Sequence, residues 1–254
     1  MTDRPGDIAA SYDATFAGEG LQDSDSAYAW VLQTLAPRPG ARLLDVACGE
    51  GALLRHALVY GLEAHGVDFS ERALRIAHMA APQAHLAQAN GESLPFPDAS
   101  FEYVTCLGSL EHYRDPWRGA AEIARVLTPG GRAAILLPNA YYLADLVWHV
   151  WRTGRGPDHR QVIQRFAAAR EWADYLTMMG LAVVATHRSN PRFPRNRADW
   201  RWYRSKPRRL LYLVAAAITP FNLSHSFMYV CEPAALRPEL NARLPFALQR
   251  PEGA

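Results

Sequence analysis

Leu43-Leu44-Asp45-Val46-Ala47-Cys48-Gly49-Glu50-Gly51-Ala52-Leu53-Leu54 is the stretch in which a short apolar run meets small residues and then resumes at helical spacing. It reads as strand, tight loop and helix. Arg42 to Val46 has the look of a buried strand, and Leu53, Leu54, Ala57 and Leu58 continue three and four residues apart. Ala47, Gly49 and Gly51 keep the loop free of bulk, so a ligand can approach its backbone. Exposed N–H groups at the helix start favour a polar or anionic group. Taken alone, the loop also admits a plain strand-to-helix turn as the lesser reading, since the Gly-rich phosphate fingerprint is only partly matched.

A second apolar strand pattern, Leu62 to Val67, ends at Asp68, and Phe69-Ser70-Glu71 opens another helix. A doubly wound fold places its ribose-binding carboxylate at the end of the second strand, about twenty positions after the loop. Ser70 also suits the N-cap of the helix that follows. Further on, strand and helix patterns alternate: helix at 72–79, strand at 84–89, strand at 103–106, helix at 116–127 and strand at 133–137. Such alternation argues for a parallel sheet covered on both faces, with ligands beyond the carboxyl ends of its strands.

Two more segments complete a set of four: Asn90-Gly91-Glu92-Ser93-Leu94-Pro95-Phe96-Pro97-Asp98-Ala99-Ser100-Phe101-Glu102-Tyr103-Val104, and Leu107-Gly108-Ser109-Leu110-Glu111-His112-Tyr113 followed by Arg125-Val126-Leu127-Thr128-Pro129-Gly130-Gly131. From about Leu43 to Asn139, in this order, the chain resembles the class I S-adenosylmethionine-dependent methyltransferases, in the type 11 small-molecule branch that includes the quinone-ring enzymes. The resemblance implies a Rossmann-like α/β fold: a doubly wound, mostly parallel seven-stranded sheet with an antiparallel last strand. It also implies S-adenosylmethionine as cofactor, leaving S-adenosylhomocysteine as product. Asp45 and the loop of Ala47, Cys48, Gly49 and Gly51 would hold the methionine part. Asp68 would take the two ribose hydroxyls, Phe69 one adenine face, and Asn90 with Gly91 the adenine edge, with Glu92 counted among the cofactor-binding residues. Leu107, Gly108 and Ser109 would lie beside the sulfonium. The chain departs from the family at Ala47, where Gly is usual, and at Asn90, where Asp is usual. Asparagine still offers an acceptor oxygen, so cofactor binding is expected to survive with altered affinity.

The chain has 254 residues, 49% of them hydrophobic, enough for one substantial core. The expected organisation is a single domain over 1–254, with an N-terminal cap at 1–40, a cofactor-binding core at 41–138, a lid at 139–165 and an insertion at 190–224. No signal peptide and no apolar run of spanning length is evident. Cys48, Cys106 and Cys231 lack CxxC spacing, which suggests neither a disulfide framework nor a zinc site but three buried small residues in a reducing, cytoplasmic setting. The net charge of +2 excludes a strongly basic nucleic-acid protein. It hides one local bias, however: Arg188, Arg192, Arg195, Arg197, Arg201, Arg204, Lys206, Arg208 and Arg209 share a stretch whose only acid is Asp199.

Outside the core, Tyr12 in the polar leading segment is expected to touch the cofactor or simply to sit on a surface turn. Tyr28 to Leu35 reads as a helix stopped by Pro37 and Pro39. Leu143 to Trp151 reads as an amphipathic helix over the site, on a membrane surface, or packed on the domain. Residues 154–160 form a charged connector, Phe166 to Met179 the next helix and Leu181 to Thr186 the sixth strand, with Phe227 to Cys231 as the last. The insertion joins the basic run to Phe193, Trp200, Trp202, Tyr203 and the apolar stretch 210–218. It is suited to single-stranded nucleic acid, to a membrane interface, or to internal pairing with the protein's own acids. The short apolar run favours the membrane over nucleic acid, placing the protein in the cytoplasm and at the inner face of a membrane.

Methyl transfer from a sulfonium is an in-line displacement that depends on holding donor and acceptor together and excluding water. For a hydroxyl acceptor His112 is the candidate base, ahead of His159, because an ordinary histidine titrates near working pH. A role in orienting the loop is the alternative for His112. Glu111 and Asp115 lack a convergent ligand set, so a metal-independent enzyme is expected. The leading expectation is methyl transfer to oxygen or carbon of a small hydrophobic or lipid-linked acceptor. An RNA methyltransferase using the 188–209 stretch and a non-catalytic cofactor-binding scaffold are the alternatives.

Overall fold

The computed structural model describes residues 23–156, 163, 165–190, 193–205, 210, 213, 216–245 and 248. Tyr12, His159, Arg192, the basic residues at 206, 208 and 209 and residues 211, 212, 214 and 215 of the 210–218 run therefore lie outside the described residues. The elements in chain order are α1 (Asp25–Leu35), β1 (Arg42–Val46), α2 (Ala52–Val59), β2 (Glu63–Asp68), α3 (Glu71–Ala80), β3 (His85–Gln88), β4 (Phe101–Leu107), α4 (Pro116–Val126), β5 (Leu127–Pro138), α5 (Trp148–Thr153), α6 (Ala169–Met178), β6 (Leu181–Ser189), α7 (Arg197–Ser205) and β7 (Ser226–Pro233).

The strands form one seven-stranded sheet in the order β3-β2-β1-β4-β5-β7-β6. β1 pairs in parallel with β2 and with β4, and β7 runs antiparallel to both β5 and β6. The order reverses between β1 and β4, so the chain after β1 and the chain after β4 diverge from a crevice there. Successive residues of β1 face opposite sides: Leu43 joins Leu32, Leu35, Leu53 and Leu54 of α1 and α2, while Leu44 joins Ile123, Trp172 and Tyr175 of α4 and α6. A strand buried on both faces reads as a continuous apolar run, and this is why Leu43 to Val46 shows no alternation.

Side-chain caps fix two of the helix starts, the first of them where the sequence places it. The Ser70 hydroxyl accepts from Ala73 N–H (3.1 Å) at the start of α3. Asp115 accepts from Arg118 N–H (2.9 Å), with Pro116 in the first turn of α4. The three cysteines are free and buried.

Four elements differ from the sequence reading. β5 begins at Leu127, ahead of the expected 133–137 span, because Leu127 already pairs with Phe101 before the register shifts to Tyr103–Arg132. The lid is not one α-helix: Leu143–Val147 is a π-helical turn, with Val147 N–H reaching the Tyr142 carbonyl (3.0 Å), and α5 follows it. Phe166 precedes α6 instead of starting it, since Ala167 bridges to Asn139. Within the insertion, α7 is a helix moored by Asp199, whose carboxylate accepts from Ser26 N–H and Oγ and from Arg195 N–H (3.0, 2.8 and 2.8 Å).

Candidate active site

Beyond the carboxyl ends of the parallel strands lies a cavity of about 710 Å³. Each strand that ends there delivers its residues directly. Asp45 comes from β1 and Ala47, Cys48 and Gly49 from the loop after it; Asp68 and Phe69 end β2; Asn90, Gly91 and Glu92 follow β3; Leu107 and Gly108 end β4. His112, on the turn after β4, lines the same space. Gly51 does not. It occupies a left-handed conformation (φ 78°) with its α-carbon against α3, where a Cβ would come within 2.9 Å of the Ala77 methyl. Its smallness therefore serves helix packing and the α2 start.

Ala47 and Gly49 both have left-handed backbone, φ 58° and 50°. That conformation costs an L-residue about 1–2 kcal/mol, which accounts for the usual glycine at the first of these positions. The turn is pinned from the neighbouring strand: Asp68 accepts Gly49 N–H through one carboxylate oxygen and Ser70 N–H through the other, each at 2.9 Å. Asp45 is buried and accepts from the Thr105 hydroxyl (2.7 Å). Burial pushes its carboxyl up to about 7, partly offset by Thr105 and reinforced by the charge of Asp68. A carboxylate in that condition is stabilised by an incoming cation. The amino group of the implied cofactor is such a cation, and the residues present fit it.

Gly91 packs under the Tyr113 ring, with no room for a Cβ beneath the phenol oxygen. The Asn90 side-chain oxygen accepts Glu92 N–H (3.0 Å), and Glu92 in turn accepts from Arg114 N–H (2.8 Å). Both side chains thus shape their own loop while lining the cavity.

Glu111 stands out in the structure as it does not in the sequence. It is 4% exposed, lines the cavity, and has one carboxylate oxygen with no hydrogen-bond partner. Burial raises its carboxyl to about 8, so near neutrality it is the protonated acid. His112 Nδ1–H donates to the Ile163 carbonyl (2.7 Å), which leaves Nε2 as the acceptor, 3.6 Å from Glu111 Oε1. Burial lowers the His112 imidazole below its ordinary value despite that bond, and it is neutral.

Arg165 holds this turn in place through the carbonyls of Tyr113 (2.6 Å), Glu111 (3.3 Å) and Arg114 (3.3 Å). α1 adds Ala27, Tyr28, Trp30 and Val31 to the lining, the segment after β5 adds Tyr142 and Leu146, and Phe166 ahead of α6 completes it. No local signal marks these contributions. Asn139 is the one lid residue with a readable position, directly after β5; its Nδ2 donates to the carbonyls of Asn222 (2.9 Å) and Ser224 (2.8 Å), tying the lid to the approach to β7.

Residues 44–135 match the family of methyltransferase domains. Among curated proteins, the chain is 36% identical over 130 residues to 27-O-demethylrifamycin SV methyltransferase of Amycolatopsis mediterranei, covering 47% of this chain and 48% of that one. It is 36% identical over 113 residues to ubiquinone biosynthesis O-methyltransferase of Thiobacillus denitrificans, covering 40% and 46%. The chain thus spans about half the length of these relatives. Among solved structures, Haemonchus contortus phosphoethanolamine N-methyltransferase 2 in complex with S-adenosyl-L-methionine superposes with a TM-score of 0.59 at 18% identity, over 83% of this chain and 53% of that one, a likeness of fold.

Proposed function

We propose, from a chain whose residues 44–135 are a class I S-adenosylmethionine-dependent methyltransferase domain of the type 11 branch, that the protein methylates a hydroxyl of a small hydrophobic acceptor. The observation that carries this reading is the pairing, in one cavity, of the strand-end residues with a neutral His112 whose Nε2 is left as an acceptor. Asp45 and the 47–49 loop hold the amino-acid end of the cofactor, Asp68 its ribose, and Phe69, Asn90 and Gly91 its base. When bound, S-adenosylmethionine supplies an activated methyl group and leaves as S-adenosylhomocysteine. His112 Nε2 takes the acceptor's hydroxyl proton. Glu111, protonated near neutrality, adds no negative charge beside the forming phenolate or alkoxide. The apolar residues Tyr142, Leu146 and Phe166 receive the acceptor's hydrocarbon and keep water out.

The surface of the segment after β5 supports this acceptor class. An apolar groove formed by Tyr141, Val147, Val150 and Trp151 shares Leu146 and Phe166 with the main cavity. Trp148 and Trp151 stand 56% and 75% exposed with their rings 5.0 Å apart, next to Arg152 and Arg155. Tryptophans beside arginines suit the polar boundary of an anionic bilayer, from which a lipid-soluble acceptor enters through the groove.

The test combines calorimetric titration with turnover. S-adenosylmethionine should bind the wild type and His112→Gln equally and Asp68→Ala much more weakly. With radiolabelled methyl donor and a panel of hydroxylated aromatic and quinol acceptors, His112→Gln should lower kcat by about 10²–10⁴. Wild-type kcat should fall on acidification below the ordinary histidine range, where Nε2 becomes protonated. Absence of cofactor binding would overturn the assignment, and a His112→Gln enzyme with undiminished kcat would remove the base.

A further inference from the structure

We propose that Glu63, His65 and His85 form a zinc-binding site on the face of the sheet near the amino ends of β2 and β3, remote from the strand ends that wall the cavity. His65 and His85 are direct cross-strand partners in the parallel β2–β3 register, and Glu63 precedes His65 by two on β2, so all three project from the same face. Their rings stack with centroids 4.8 Å apart. Glu63 Oε1 already contacts His65 Nε2 at 2.9 Å, and one ligand atom from each of the three residues lies within 4.8 Å of the others. Among the described residues no other three histidines, cysteines or acids meet this way.

Tetrahedral zinc with bonds of about 2.0–2.1 Å holds its ligands about 3.4 Å apart, so rotation of the exposed Glu63 and His85 side chains toward the half-buried His65 closes the set without moving the strands. Two imidazoles and one carboxylate suit zinc over magnesium, and the exposure of Glu63 and His85 leaves water for the fourth position. Behind the site, Phe101 and Phe96 meet His65 edge-on at 5.1 and 6.4 Å, a dry wall that limits the ring's freedom. Arg42, the neighbour of Glu63 across β1–β2, is engaged by Glu102 and the Phe101 ring. β3 is a four-residue edge strand bonded only to β2, and a metal bridging the two would clamp it.

The test is calorimetric titration of ZnCl₂, with MgCl₂ alongside, into the full chain stripped by chelator and desalted. One zinc per chain should bind, magnesium should not, and His65→Ala, His85→Ala and Glu63→Gln should each weaken zinc by about tenfold or more. Cu²⁺ added to the wild type should show electron-paramagnetic coupling to two imidazole nitrogens, a readout that needs no variant to fold. Near-ultraviolet circular dichroism shows which variants are native, and His85→Gln replaces any alanine variant that is not. No saturable zinc binding, zinc affinity unchanged in native His65 and His85 variants, or copper without two-nitrogen coupling would overturn the site.

Discussion

At Glu111 a single carboxyl is held protonated near neutrality because burial disfavours its charge. The sign of its effect on stability follows. The folded value, about 8, lies above the ordinary 4.5, so the folded protein keeps a proton that the unfolded chain releases. The associated stability is fully present below about pH 4.5 and is lost as the pH rises through 8. In cofactor-free protein, the melting temperature of the wild type relative to Glu111→Gln should therefore fall by several degrees between pH 5 and 9. Calorimetry across that range checks it; a constant gap would mean that the side chain is hydrated and ionised throughout. Asp45 obeys the same rule in its own window, up to about 7, and is present in both proteins, so the comparison isolates Glu111.

At the scale of elements, α7 is tied to the cavity wall through α1. Asp199 at the start of α7 holds Ser26 of α1 by two hydrogen bonds, across 173 residues of chain, and α1 supplies Tyr28 and Trp30 to the cavity wall. Burial alone would raise the Asp199 carboxyl; its donors, Arg195 N–H and both groups of Ser26, hold it below the usual carboxylate range. Asp199→Ala leaves those donors without their acceptor and should cost roughly 2–3 kcal/mol in denaturant unfolding. It should also weaken cofactor binding, with Asp199→Asn intermediate in both. Unchanged unfolding would mean that α7 and α1 are joined by packing alone. The basic run of which α7 is part thus includes at least one element whose sole acid faces inward, which composition could not distinguish from a charged binding surface.

For the whole molecule, the proposed bilayer contact is a property of surface placement. No helix among the described residues is long and apolar enough to cross a membrane, so contact would be peripheral. The protein should co-sediment with anionic vesicles more than with neutral ones, and salt should weaken this, each basic residue near the surface adding about 1 kcal/mol. Trp148→Ser with Trp151→Ser should lower the bound fraction while leaving cofactor affinity intact. Equal binding to neutral vesicles, or indifference to both substitutions, would remove the membrane from the proposal.

Much of this architecture is written locally. The Leu43–Leu54 turn, the Asp68 strand end, the Ser70 cap and the α/β alternation were legible because a strand buried on both faces, a cap and a turn each leave a signature within a few residues. The strand ends that line the cavity followed from that alternation, since parallel strands must all finish on one side of the sheet. The lid was misread because a π turn and an α-helix share nearly the same apolar spacing, and Gly51 because smallness for packing and smallness for a ligand look alike. What the sequence by itself determined was the order of elements and the side of the sheet on which the cavity opens. Only the tertiary structure decided that Glu111 is buried enough for its carboxyl to be raised, that α1 and the segment after β5 line the cavity, and that His85 meets His65 and Glu63. Desolvation and contacts between distant segments depend on what packs against a residue, and no periodicity in the chain records it.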